Sequence, residues 1–336
     1  MLVSVKAFWK NENRKTLGVS FLKSIFSFAL RASVHVRMCV HVLFFVLFFL
    51  GILFLSSCDG TDAGGILGGE TTGDPYTPTE VLLSPTGAAG EWSIDTSTVS
   101  AGYVGASAVS GSRLKFQVAY GEMSYNYDLP SDGLPIVCPI NMGNGVYSFS
   151  IWENTSDNRY VQLGSTETID VALESEFVPF LRPSYFCPYS ESSACVQKAF
   201  ELSAEAENEG DVLKNIYNYV TDNVDYDDAK AATVEEGYIP NPDSTFQSNT
   251  GICFDYASLA AAMLRSQGIP CKIMTGYVSP DNIYHAWNMV YINGSWSTIT
   301  FVVESNTWTR IDTTFAAGGA TNFVGDGTNY TDRYTY

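Results

Sequence analysis

The sequence predicts an α+β protein in which a small all-β sandwich precedes a domain of helices packed on an antiparallel sheet. Three patterns carry this expectation. From about Val81 to Val178, short alternating runs are separated by Gly, Asn, Asp and Pro, with no helical run between them. From Ser193 to Gln267, apolar residues recur every three or four positions. Beyond Lys272 the alternation returns, broken by Asn293-Gly294, the strongest short-range hairpin signal. A chain of 336 residues is long enough for two domains. The expected boundaries are 1–57 for a leader, 58–80 for a tether, 81–180 for the sandwich and 185–336 for the second domain.

The leader has the plan of a signal peptide. Met38 to Cys58 contains no Asp, Glu, Lys or Arg, Val42–Leu50 is wholly apolar, and basic residues lie upstream. It ends Leu-Ser-Ser-Cys, which resembles a bacterial lipobox, so Cys58 is the expected lipidation site. The alternative is a transmembrane anchor, since about 18 apolar residues span a bilayer. Both put the remainder in the cell envelope, outside the cytoplasm, and the lipobox implies a lipid anchor in the bacterial membrane. Residues 59–80 are rich in Gly, Thr and Asp and carry too little apolar surface to offset ordering entropy.

In the sandwich, Leu114–Ala119, Val146–Ile151 and Tyr160–Leu163 read as strands, and Cys138 reads as a structural residue after an apolar run. Two amphipathic helices follow. One runs over Ser193–Glu207 with a serine at its cap; the other runs over Asp211–Val224, where Val212, Ile216, Val220 and Val224 share a face. Pro240 and Pro242 then suggest a loop over Ser244–Gly251. Gly251–Gln267 reads as a third helix with a stripe of Ala257, Ala260, Met263 and Leu264, stopped by Gly268 and Pro270. Strands are expected over Lys272–Val278, His285–Ile292, Ser295–Val303 and Thr307–Phe315.

Charge and cysteine usage narrow the function. Past Cys58, 11 basic residues face 35 acidic ones, a net charge of −24. Such a surface repels phosphate backbones, so no nucleic-acid partner is expected. Removing the leader and Cys58 leaves Cys138, Cys187, Cys195, Cys253 and Cys271, an odd number, so one thiol is left free. Cys187 and Cys195 are close enough in sequence for a bridge, or are small buried hydrophobes. Asp225, Asp227 and Asp228 match no calcium loop and suit a solvated helix end. With one histidine past Cys58 and no cysteine pair at ligand spacing, no metal site is expected.

Cys253 is the residue that asks for chemistry. It falls in the first turn of the third helix, where unpaired N–H groups and the helix dipole favour a thiolate. A nucleophile also needs a base and a group to orient that base. His285 is the only histidine past Cys58, and Asp312 lies on a later strand of the same expected sheet. Taken alone, Cys253 reads more readily as core than as catalyst, and His285 likewise as a satisfied core residue.

Together, the segments G-I-C-F-D-Y-A, G-I-P-C-K-I-M-T-G-Y, Y-H-A-W-N-M-V-Y-I-N-G-S-W and W-T-R-I-D-T-T resemble, in order, the signature of the transglutaminase-like superfamily, a papain-like cysteine fold. The resemblance covers about Tyr185–Tyr336, and more loosely a group of bacterial surface lipoproteins in which a β-sandwich precedes such a domain. It implies Cys253 as nucleophile, His285 as general base and acid, and Asp312 as the residue orienting the imidazole. In the family the aspartate follows soon after the tryptophan of the Asn-Gly hairpin. Here Trp296 is followed by Ser297-Thr298-Ile299-Thr300, and the aspartate arrives only after Trp308. For the oxyanion the choices are Gln247, six residues before Cys253 as a glutamine is in papain-like proteases, and the Cys253 backbone N–H.

The resemblance implies cleavage or transfer of peptide or isopeptide bonds through a thioester, with a protein or peptide substrate such as a cell-wall peptide. It implies no cofactor. The alternative is a non-catalytic surface binding or adhesion module with a vestigial triad. The oligomeric state has no signature in the sequence.

Overall fold

The computed structural model describes residues 87–279, 282–293, 296–297, 302–303, 307–318 and 330–336. The leader, Cys58 and the tether lie outside the described residues, as do Gly294 and residues 304–306 between the last two expected strands. Among the described residues no helix is long and apolar enough to cross a membrane.

A strand-rich region comes first: β1 (Trp92–Asp95), β2 (Tyr103–Ala108), β3 (Leu114–Tyr120), β4 (Met123–Leu129), β5 (Ile136–Pro139), β6 (Gly145–Ser156), β7 (Arg159–Ser165) and β8 (Ile169–Val171). One sheet has the order β1-β2-β5; the other has the order β4-β3-β6-β7, with β8 also on β6, and every pairing is antiparallel. The alternation seen in sequence sets the inner face. Leu114, Phe116 and Val118 of β3 are buried against Tyr147, Phe149 and Ile151 of β6, and Val104, Ala106 and Cys138 close the same core. Gly121 adopts φ 56° in the two-residue β3–β4 turn, a conformation that costs glycine little.

The helical region starts with α1 (Ala194–Ser203) and α2 (Glu209–Asn223). The expected start of α2 at Asp211 moves back two residues, because Asn208 is the cap and accepts the Asp211 N–H at 3.1 Å. β9 (Asp225–Tyr226) leads into α3 (Asp228–Thr233), whose cap is Asp227. The aspartates expected to terminate a helix therefore begin one, and Asp227 accepts the Lys230 N–H at 2.9 Å.

The expected loop over 244–251 is mostly α4 (Pro242–Ser248). Proline lacks the N–H that the first helical position would leave unpaired anyway, so Pro242 opens this helix and Asn241 caps it. Asp243 then uses its two carboxylate oxygens to accept the Ala194 and Cys195 N–H groups at 3.0 and 2.9 Å, capping α1 from a distance.

β10 (Thr250–Gly251) pairs in parallel with β9 and delivers the chain to α5 (Cys253–Arg265). Every α5 residue from Asp255 to Arg265 is buried, so this helix is the spine of the region. Beyond it come β11 (Cys271–Val278), β12 (Ile283–Tyr291), a separate antiparallel pair of β13 (Trp296–Ser297) and β14 (Val302–Val303), then β15 (Trp308–Ile311), α6 (Thr313–Ala317) and β16 (Tyr330–Thr335). The main sheet has the order β15-β12-β11-β16. The strand expected over 307–315 stops at Ile311, because Asp312 caps α6 by accepting the Phe315 N–H at 2.9 Å.

Cys187 and Cys195 are buried and unbridged. Burial pushes the Cys187 thiol up to about 11 and the Cys271 thiol up to about 12, and it raises Cys138 and Cys195 as well.

Candidate active site

Cys253 is the first residue of α5 and is half-buried. Asp255 fixes the turn that carries it. This fully buried carboxylate accepts the Ile252 N–H at 2.8 Å and the Lys230 ammonium at 2.6 Å on one oxygen, and the Tyr238 hydroxyl at 2.5 Å on the other. Gly251 is required beside it, since a Cβ there would lie 2.6 Å from the Asp255 Cβ. The N–H of Cys253, at the first helical position, has no acceptor within α5, so the thiol and a free donor share one spot at the positive end of the dipole.

β12 places His285, 2% exposed, opposite that thiol. Its Nε2 lies 2.8 Å from Oδ2 of Asp312, which is fully buried. A carboxylate only accepts, so Nε2 carries the proton and Nδ1 is left for Cys253, which is within hydrogen-bonding reach of the ring. Phe315 stacks on the imidazole at 4.4 Å between centroids and 13° between planes.

Burial alone would lower the imidazole's pKa. The charge of Asp312, its hydrogen bond, and then the hydrogen bond and charge of Cys253 reverse this and raise it to about 10. An imidazole held by Asp312 on one side and within reach of the Cys253 sulfur on the other is the arrangement that thiol acyl chemistry needs.

Two supporting residues were missed by the sequence analysis. Tyr330 of β16 donates its hydroxyl to Asp312 Oδ2 at 2.8 Å, and Phe315 both stacks on His285 and supplies the N–H that Asp312 Oδ1 accepts. Phe315 falls within the strand expected over 307–315, and Tyr330 lies 18 residues past Asp312 with no local cue. The expected oxyanion residue Gln247 is exposed on the last turn of α4 and is not among the residues that line the cleft with Cys253; the other expected donor, the Cys253 N–H, belongs to the residue that carries the thiol. Among the described residues no cluster of His, Cys, Asp and Glu suited to holding a metal occurs.

Cys253 and His285 line a cleft of about 460 Å³. One side is built by Tyr238, Phe254 and Tyr284, and the other by Lys115, Asn126 and Asp128 of the strand-rich region. The two regions are joined beside it by aromatic contacts, Tyr127 on Tyr185 at 5.2 Å and Tyr125 on Tyr336 at 5.6 Å.

Residues 196–312 match the family model described as the transglutaminase-like superfamily, a span that holds Cys253, His285 and Asp312. These residues form a transglutaminase-like domain. No curated protein matches the chain. Among solved structures it is similar to a candidate cysteine protease from Cytophaga hutchinsonii, at 18% identity and TM-score 0.36 over 70% of this chain and 79% of that one. It is similar to a candidate protease from Parabacteroides distasonis at 19% identity and TM-score 0.27, over 51% of this chain and 42% of that one. Red sea bream transglutaminase is similar at 12% identity and TM-score 0.30, over 67% of this chain and 48% of that one.

The transglutaminase-like domain carries a pH signature. A histidine whose folded pKa is raised from 6.5 to about 10 contributes stability that is full below 6.5 and is lost as pH rises through about 10. Urea unfolding of the wild type is therefore expected to give a falling midpoint across that window, with a shallower fall in His285→Asn. Equal slopes in the two proteins would show that His285 is not held as an imidazolium.

Proposed function

We propose that the protein is a thiol-dependent acyl-transfer enzyme that cleaves or transfers peptide or isopeptide bonds. The observation that carries this is the buried Asp312–His285 pair with Cys253 in reach at a helix start, open to a cleft. The Cys253 thiolate attacks the amide carbonyl, and the Cys253 N–H faces the oxyanion. The His285 imidazolium then protonates the departing amine as the C–N bond breaks, leaving an acyl thioester and a neutral imidazole. Water or a primary amine attacks next, His285 takes its proton, and the thiolate leaves. Asp312 holds the ring so that Nδ1 faces sulfur throughout. Hydrolysis of peptides is preferred over cross-linking, by analogy with bacterial members of the superfamily.

Turnover is read as amine released from peptides, with and without an added fluorescent primary amine to capture transfer. Cys253→Ala and His285→Ala are each expected to lower it by at least about a thousandfold. Undiminished turnover in Cys253→Ala would sink the proposal.

The apolar run before Leu-Ser-Ser-Cys supports a location on the outer side of a bacterial membrane, anchored by lipid on Cys58. Labelled fatty acid supplied to expressing cells is expected on the wild type and not on Cys58→Ala. Equal labelling of both would place the anchor elsewhere.

A further inference from the structure

The open edge of β4 enters the reaction cleft, and we infer that it holds the substrate: an extended peptide pairs with this edge through main-chain hydrogen bonds and so presents an amide to Cys253. This rests on the acyl-transfer reading above and adds to it the form in which substrate is bound. It also gives the strand-rich region a part in the reaction.

The edge follows from register. β4 pairs with β3 alone, and Tyr120↔Met123 closes the two-residue turn between them. Pairing alternates along an antiparallel ladder, so Met123, Tyr125, Tyr127 and Leu129 exchange hydrogen bonds with β3. The backbone groups of Ser124, Asn126 and Asp128 point the other way. The Asp128 carbonyl confirms that direction, since it accepts the Tyr185 hydroxyl at 2.9 Å from outside the sheet. Among the described residues no strand pairs with this side.

The edge also faces the cleft. Asn126, Tyr127 and Asp128 are consecutive, and their side chains alternate between the two faces of the sheet, with Tyr127 1% exposed in the core and Asp128 paired with Lys115 at 2.6 Å on the outer face. All three nevertheless line the cleft that Cys253 and His285 line. A cavity bounded by residues from both faces of a strand looks onto the strand's edge.

Sheet edges are commonly blunted by Lys, Pro or a bulge. Met123-Ser-Tyr-Asn-Tyr-Asp-Leu contains neither residue, and its register with β3 is unbroken. With Tyr185 already on the Asp128 carbonyl, the outward backbone groups of Ser124 and Asn126 beside the nucleophile are the ones suited to an added strand, with main-chain bonds giving affinity and neighbouring pockets reading side chains.

The test uses iodoacetyl pentapeptides of pooled random sequence on the full chain, with iodoacetamide as the plain reagent and peptide mapping to read labelling at Cys253. In each case Sγ bonds to the methylene carbon and iodide departs. The wild type is expected to react faster with the peptides than with iodoacetamide, by about tenfold for two net main-chain hydrogen bonds. Peptides N-methylated along the backbone are expected to lose that advantage. Asn126→Pro removes an outward N–H without touching the β3 ladder, and it is expected to bring the ratio of peptidyl to plain labelling rates near one.

An advantage that survives N-methylation, or no advantage in the wild type, overturns the inference. The N-methyl comparison decides the matter on wild-type protein should Asn126→Pro not fold. If plain iodoacetamide shows no preference for Cys253 over the buried thiols, it is the acyl-transfer reading that fails instead.

Discussion

The buried carboxylate of Asp312 is the interaction on which the site depends. It is fully enclosed, and it accepts from the His285 ring, the Tyr330 hydroxyl and the Phe315 N–H. A buried carboxylate without partners would be costly, so each donor offsets part of that cost, and Asp312 in turn raises the His285 pKa against the pull of burial. The consequence reaches across the fold. Three separate elements, β12, α6 and β16, are pinned to one another through a single side chain. The thiol needs only to be placed, and Asp255 does that from within α5 by fixing the turn before it.

β16 joins this centre to the rest of the molecule. Tyr330 at its start touches Asp312, while Thr335 near its end gives its N–H to the Tyr125 hydroxyl of β4 at 3.2 Å. The carbonyl of Tyr336 accepts from buried Arg265, which also donates to the carbonyls of Cys271 and Arg182 and to the Ser184 hydroxyl. That guanidinium ties α5, β11, the segment before α1 and β16 together with hydrogen bonds that water cannot replace. One strand thus carries both a support of the Asp312 carboxylate and a seam with the strand-rich region, and the cleft has walls from both.

Much of this was legible in the sequence, because the features concerned are local. Gly251, a thiol and a small-residue stripe define a helix start. Alternation sets which face of β3 and β6 is buried. The errors arose where one residue type serves two purposes. Pro242 read as a breaker although proline suits a first helical position, and Asp312 read as a strand residue although an aspartate also caps helices. Tyr330, Phe315 and the cleft wall at Asn126 and Asp128 depend on contacts between distant segments, and periodicity carries no information about those. Gln247 came from spacing borrowed from another family, and α4 turns it outward.

The central claim is that Asp312 holds the His285 ring against Cys253 and so makes this thiol the reactive one. The most direct measurement is the pH dependence of Cys253 alkylation by limiting iodoacetamide, followed by peptide mapping in the wild type and in Asp312→Asn. The account predicts that wild-type Cys253 labels ahead of Cys138 and Cys271, whose thiols burial pushes up, and that Asp312→Asn changes its profile and removes that lead. Labelling of Cys253 no earlier than the buried thiols, or a profile unmoved by Asp312→Asn, would contradict it.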